Sequence, residues 1–354
     1  MATIYDIAKL AGVSPATVSN AFNRPEQMKA ETRERILEAA NQLGYQPNVN
    51  AQALAGGKSQ LVGLLIADIR IPYVANVTRG IEDRLAEESF IAVVSSTDGD
   101  SDKTIDLMRR LKMRGVGGFI LVPAMYGVTG KVKQEVLQQI ENGANIIVAG
   151  HELQSEEIAH LAVRGQTTAR ELTDHLLNLG HRDIAFISGF HSRGEAIWRW
   201  LGYQEAMLSY EVPIRPELVV ELENSPVASR MAVEKLMALQ TPPTAIFAMN
   251  DIYARGVIDY VVANQVRVPE DLSIVTFDYQ VLAQRITPRL TSVVVPAYDV
   301  GWKAAELFLA LQADRNHQPR VVPLPHIFDD RGSTGPPKVV VSGLATHARS
   351  VTTD

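Results

Sequence analysis

The 354-residue chain has no cysteine, which excludes disulfides and thiolate metal sites. No stretch is long and apolar enough to span a bilayer. Near the start, no apolar run follows basic residues, as an export signal would require. The expectation is a cytoplasmic protein with no membrane partner. A phosphate-cradling glycine loop of the P-loop type, a G-x-S-x-G elbow and a zinc-spaced histidine pair are all missing, and the eight histidines are scattered. No enzymatic activity, cofactor or metal is expected. Strong basic charge is missing too, since the formal net charge is −6. Residues 1–60 hold six Lys/Arg and five Asp/Glu, so they carry +1 and the remainder −7. That is a weak electrostatic footprint for a nucleic-acid binder. Any DNA affinity must lean on helix N-termini, neutral donors and duplicated modules.

What is present begins at once. Residues 3–23, TIYDIAKLAGVSPATVSNAFN, read as two short helices around one tight turn. Thr3 and Asp6 have the spacing of a capping box. Ile7, Ala8, Leu10 and Ala11 form one helical face, and Gly12 can end the helix because glycine takes a left-handed backbone cheaply. Ser14 and Pro15 suit the N-cap and first turn of the next helix. Val18, Ala21 and Phe22 face inward, while Pro15, Ala16, Thr17, Ser19 and Asn20 face out. This is the pattern of a helix-turn-helix, with small polar residues where a reading helix meets base edges. A third helix is expected over about Glu31 to Leu43, with Ile36, Leu37, Ala40 and Leu43 buried and Gly44 ending it. Pro47 breaks the chain, and NVNAQALAGG follows as one or two helical turns, too short to hold alone in water.

From Leu61 the texture changes. Short apolar runs (LVGLLIA, FIAVVSS, GFILV, NIIVA, DIAFIS, LVVEL, TAIFAM, LSIVTF) alternate with amphipathic stretches. Strands buried between helices look like this, so the fold class is an N-terminal all-α unit plus α/β with two doubly wound parallel-sheet lobes. Ligands of open α/β sheets bind outside the carboxyl ends of the strands, which here means a cleft between lobes. The expected division is a helix-turn-helix domain (1–46) and a linker (47–59), then a first lobe (60–160 plus 291–321) and a second lobe (161–290 plus 322–335). Residues 336–354 are expected to be a loose tail. TSVVV (291–295) and the helix near 297–312 are assigned to the first lobe, and the run at 320–328 crosses again.

These strings together resemble the lactose-repressor (LacI/GalR) family of bacterial transcription regulators over about the first 335 residues. The N-terminal stretch and NVNAQALAGGKS carry the resemblance most specifically. IADIRIPYVANVTRGIE, LLNLGHRDIAFISG, RWLGYQEAM, PTAIFAMND, VPEDLSIVTFD and PRLTSVVVP agree with it. Periplasmic sugar-binding proteins share the lobes but not the helix-turn-helix. The resemblance implies a homodimeric, allosteric repressor on a pseudo-palindromic operator of double-stranded DNA, regulated by a small-molecule effector.

It places Pro15, Ala16 and Asn20 at the bases, and Thr3, Tyr5, Ser14, Thr17, Ser19, Asn23 and Thr32 at phosphates. Many relatives have arginine at the position of Asn20. Asparagine favours adenine where arginine favours guanine. Leu54 matches a leucine that wedges into the minor groove, with Asn48 and Ala51 on the same short helix. The resemblance also places Asp68, Tyr73, Arg164, Arg193, Glu195, Arg199, Asn224, Asn250 and Asp278 in the cleft. Asp251 is either a cleft residue or a helix cap. Gly150 and Arg164 stand where relatives often have aspartate, and Tyr279 replaces a second acid after Asp278. Arg164, Arg193 and Arg199 would suit an anion, so a sugar acid, a phosphosugar or another acidic metabolite is one expected effector, and a neutral sugar or a nucleobase another. Three alternatives remain open: a sugar-binding protein without DNA function, acid/base catalysis by Asp68 and Asp278, and regulation by a protein partner.

Overall fold

The computed structural model describes residues 2–23, 28–45, 59–123, 127–153, 155–191, 194–277, 287, 289–318 and 320–338. The chain opens with helices α1 (Ile4–Ala11), α2 (Pro15–Asn23) and α3 (Ala30–Gln42). The sequence signals act locally as written. The Thr3 amide and hydroxyl donate to the Asp6 carboxylate at 2.8 and 2.7 Å, which holds that carboxyl below its usual range. Gly12 sits at φ 64°, ψ 39° and returns its N–H to the Ala8 carbonyl. The Thr17 amide donates to Ser14 Oγ at 3.1 Å, capping α2.

Ile7, Ala8, Ala11, Val18, Ala21, Ile36, Ala39 and Ala40 form the core of this unit, with Phe22 and Tyr45 packed at its edge. Three expected core leucines are outside it: Leu10, Leu37 and Leu43 are 51%, 37% and 38% exposed. The inward stripe of α3 is Ile36, Ala39 and Ala40, at i, i+3 and i+4, so Leu37 lies off it. An alanine-rich core draws the helices too close to admit a leucine there.

The body follows as β1 (Leu61–Ile66), α4 (Pro72–Glu87), β2 (Ile91–Ser96), α5 (Ser101–Met113), β3 (Gly118–Val122), α6 (Gly130–Glu141), β4 (Asn145–Val148) and β5 (Ala159–Ala162). Then come α7 (Gly165–Asn178), β6 (Ile184–Ser188), α8 (Glu195–Ser209), β7 (Val219–Glu221), α9 (Pro226–Met237), β8 (Ala245–Ala248), α10 (Asp251–Ala263) and β9 (Ser273–Phe277). The last elements are β10 (Thr291–Val294), α11 (Ala297–Ala313), β11 (Val321–Pro323) and β12 (Ile327–Asp329). One sheet has the order β11-β5-β4-β3-β1-β2 and the other β12-β10-β9-β8-β6-β7. Every described pairing is parallel except β10 with β12.

One expected placement is corrected. The run at 291–295 does not return to the first lobe, because β10 pairs with β9 in the second sheet, Thr291 opposite Val275. The chain crosses back after it, at Pro296, and α11 packs on α4 of the first lobe. Both β9 and β10 are equally apolar and short, so only the pairing register separates the two placements. Helices α4 and α11 meet without side chains between them. A Cβ at Gly301 would lie 2.0 Å from the Val77 carbonyl oxygen, and one at Gly80 would lie 2.1 Å from that of Tyr298. After β12 the chain runs along the second lobe, where Thr334 meets His175 Nε2 at 2.8 Å and Lys338 reaches Asp271 at 3.0 Å. The first residues of the expected loose tail are therefore anchored, and 339–354 lie outside the described residues.

Three lobe histidines sit as neutral rings, His160 and His181 buried and His175 half-buried. His160 bonds the Ile158 carbonyl, His175 bonds Thr334, and His181 bonds Thr244, Ser273 and the Gly335 carbonyl. Burial pushes all three below the ordinary histidine value of 6.5. As pH falls through about 6.5, the unfolded chain takes up protons that the native rings refuse, so stability is lost on acidification. Thermal unfolding followed from about pH 7.5 down to about pH 5.5 is expected to show a falling melting temperature. A flat or rising profile would contradict the neutral assignment.

Candidate nucleic-acid interface and effector cleft

The front of α2 is open. Ala16 and Asn20 are exposed, and Pro15, Thr17 and Ser19 are half-buried at its flanks. Tyr5 is 74% exposed and Thr32 is half-buried. Thr3 and Ser14 combine two tasks, since each caps a helix and lies on the surface. The Asn23 side chain, Asn48, Ala51 and Leu54 lie outside the described residues.

The carboxyl edges of the two sheets collect the other candidates. Asp68 follows β1 and is already bound: the Arg70 guanidinium reaches it at 2.6 Å and holds its carboxyl below the usual range. Tyr73 explains Gly150, because a Cβ there would meet the Tyr73 hydroxyl at 2.6 Å. An aspartate cannot stand at 150 while Tyr73 keeps this position. Asn250 caps α10, its Oδ1 accepting from the amides of Ile252 and Tyr253 at 3.0 and 3.1 Å, and its amide donates to Asn224 at 3.3 Å. Asp251 is therefore the first helical residue and not the cap. Burial pushes its carboxyl up, against the pull of Arg199.

Arg199 and Glu195 share the first turns of α8 and are both buried. The Arg199 guanidinium donates to the Met249 carbonyl at 2.6 Å and lies over the Phe277 ring at 3.7 Å. It approaches Glu195 only to 4.0 Å. Arg164 is exposed at the N-cap of α7. Arg193 and Asp278 lie outside the described residues. The arginine trio expected around an anion includes Arg193 and so lies partly outside the described residues.

Sequence reasoning missed two features. Glu152, after β4, is pushed up by burial and by the charge of Glu195. Ser188, His191 and Glu221 form a relay, with His191 Nε2 2.6 Å from Ser188 Oγ and Nδ1 2.8 Å from Glu221. The His191 ring also stacks on Trp200, centroids 4.5 Å apart. The three residues are the types of a hydrolytic triad, but Ser188 is fully buried, so its hydroxyl meets no substrate. The relay braces the loop that leads into α8. Ser188 and Glu221 are register partners on β6 and β7, a relation that spacing along the chain does not reveal.

A helix-turn-helix unit ahead of two parallel-sheet α/β lobes defines a DNA-binding transcription regulator. Residues 3–48 match the family described as bacterial regulatory proteins, lacI family, and residues 173–334 match the periplasmic binding protein-like domain. Catabolite control protein A of Priestia megaterium is 33% identical over 339 residues, covering 94% of this chain and 99% of that relative. The solved transcriptional regulator CelR–cellobiose complex is 25% identical with a TM-score of 0.69, covering 94% of this chain and all of that one. The lac repressor dimer bound to operator and the anti-inducer ONPF shares the fold at 24% identity, with a TM-score of 0.78 over 94% of this chain and 99% of that one. The chain belongs to the lacI family of bacterial regulatory proteins. Its relatives are regulators and not enzymes, which agrees with the expectation from the missing catalytic motifs. Among the described residues no helix is long and apolar enough to cross a membrane.

Proposed function

We propose that the chain acts in the cytoplasm as a homodimeric repressor whose grip on a pseudo-palindromic operator is set by a small polar metabolite between the lobes. The observation that carries this reading is the open front of α2 on a chain whose two parallel sheets collect polar side chains at the carboxyl ends of their strands. Neutral donors at Thr3, Tyr5, Ser14, Thr17, Ser19, Asn23 and Thr32 hold phosphates, and Asn20 reads a base. Leu54, with Asn48 and Ala51 beside it, wedges the minor groove from the linker.

Exposed apolar side chains supply a dimer contact: Ile91 and Val94 on the edge strand β2, Val227 and Met231 on α9, and Val262 on α10. Edge strands left apolar and open are sites of pairing with a second chain. A solved relative carrying cellobiose supports an occupant of carbohydrate size. Changing the angle between lobes changes the separation of the two linkers, and so the population able to hold DNA.

Selection of bound fragments from random duplex DNA, with and without candidate metabolites, tests the whole reading. An Asn20→Ala chain is expected to lose about 1–3 kcal/mol of binding at one position of each half-site and to lose discrimination there. Binding profiles of the two chains on single-base operator variants measure it. An unchanged base preference would reduce Asn20 to a phosphate contact.

A further inference from the structure

The amino edge of the first sheet carries a cavity that the effector reading does not use. Its volume is 160 Å³, and Gly143, Asn145, Leu311, Arg315, Asn316 and Arg320 are among its walls. That is the space of about five waters at liquid density, enough for the five heavy atoms of a phosphate group. The last turns of α6 and α11 end here, with Gly143 just past the first and Asp314 capping the second.

Main-chain oxygens aim both guanidinium groups. Arg315 Nη2 donates to the Gly143 carbonyl. Arg320 donates from Nη2 to the Arg315 carbonyl at 2.9 Å and from Nη1 to that of Glu157 at 3.3 Å. Among the described residues, neither arginine forms an ion pair with a carboxylate. The acids next to them are turned elsewhere: Asp314 Oδ1 accepts from the Asn316 amide at 2.9 Å, and Glu157 contributes only its carbonyl. Arginines at helix C-termini need no ligand to be stable there, so the charge balance decides. Two helix ends supply about half a negative charge each against two full positive charges, which leaves about +1 over the cavity. Forked N–H groups carrying that charge suit the oxygens of phosphate.

The position points the same way. Val62, Gly118 and Asn145 are register partners on β1, β3 and β4. Two strand spacings put the cavity about 10 Å from β1. The chain enters β1 from the helix-turn-helix side, with Ser59 so close to Gly117 that a Cβ there would meet it at 3.2 Å. The helix-turn-helix unit and its duplex are therefore tethered to this edge, which is opposite the effector cleft.

We propose that Arg315 and Arg320 form a phosphate site separate from the effector cleft. Two sources share that chemistry: the operator backbone and a free phosphorylated compound. The tether favours the backbone, and an N-terminal segment of only +1 gains from phosphate contacts made by the lobe. The backbone source rests on the operator reading; the phosphate chemistry does not.

The test compares the full-length protein with an Arg315→Gln/Arg320→Gln chain checked for an unchanged melting profile. An Arg315→Lys/Arg320→Lys chain keeps the charge. A Lys103→Gln/Lys131→Gln chain removes two charges at the starts of α5 and α6, the opposite edge of the same sheet. Operator titrations across salt concentrations read the first source. The Gln chain is expected to bind about tenfold or more weakly at about 0.1 M salt, its log K against log salt shallower by about 0.9 for each phosphate released. The Lys chain should keep most of that slope, and the opposite-edge chain should match the parent. Calorimetry with inorganic phosphate, without DNA, reads the second source. Phosphate binding lost in the Gln chain with its operator titration unchanged assigns the site to a free compound. The proposal is overturned if parent and Gln chains agree in both measurements, or if the opposite-edge chain loses as much as the Gln chain. A parent chain that holds no duplex at any salt breaks the operator reading, and the phosphate calorimetry then decides the site alone.

Discussion

An Ile7→Ala chain is expected to keep both lobes folded and to lose operator binding by about a hundredfold or more, because truncating a buried isoleucine costs about 2–5 kcal/mol. The headpiece can hardly absorb that loss. Five of its eight core residues among those described are alanines, so Ile7, Val18 and Ile36 supply nearly all the branched bulk. A unit of this size has only about 3–5 kcal/mol to lose. The lobes have their own, much larger cores and share no buried residue with the headpiece cluster. Calorimetric unfolding should show the main transition unmoved while gel-shift titration shows operator binding gone. Operator affinity within a few-fold of the parent chain would mean that the headpiece is stabilised by something other than this core.

The second large effect is expected at Gly301→Val. Helices α4 and α11 touch backbone to backbone there, with the position of a Cβ 2.0 Å from the Val77 carbonyl oxygen and 2.9 Å from the Ile81 amide nitrogen. Neither atom can rotate away as a side chain would. The helices must separate, uncovering Val77, Ile81, Val300, Ala304 and Ala305, all buried at this seam. Overpacking typically costs about 1–3 kcal/mol, and a clash against main chain belongs at or above the upper end. Since α11 is the segment that returns from the second sheet to the first, loosening it frees the lobe junction as well. The melting temperature should fall and ligand binding should weaken together. A Gly12→Ala chain serves as the contrast. It meets open space but must keep φ at 64°, so its cost is near 1 kcal/mol and confined to the headpiece. A Gly301→Val chain that melts like its parent would show that the helices can part freely.

Much of this architecture is legible in the sequence because it is encoded locally. Thr3 acts on Asp6, Gly12 on Ala8 and Ser14 on Thr17, each within four residues of its partner, so the helix-turn-helix is readable without any tertiary knowledge. The alternation of apolar runs and amphipathic helices likewise yields parallel sheets. The failures are all non-local. The lobe membership of β10 depends on which strand it pairs with, and its composition suits either sheet. Leu10, Leu37 and Leu43 look like core residues by type, but the tight approach of alanine-faced helices leaves no room for them. Glu152, pushed up by burial and by the charge of Glu195, was missed because the two lie more than forty residues apart in the chain. The Ser188–His191–Glu221 relay was hidden for the same reason.

The account depends on two weakly charged headpieces being held at one separation by the lobes they share. The most direct measurement titrates the intact protein against a palindromic operator and against the same duplex with one half-site scrambled. Joint engagement of two sites predicts that the scrambled duplex binds about 10²–10⁴-fold more weakly. Equal affinity for the two duplexes would show that one headpiece suffices, and that the body does not clamp the pair.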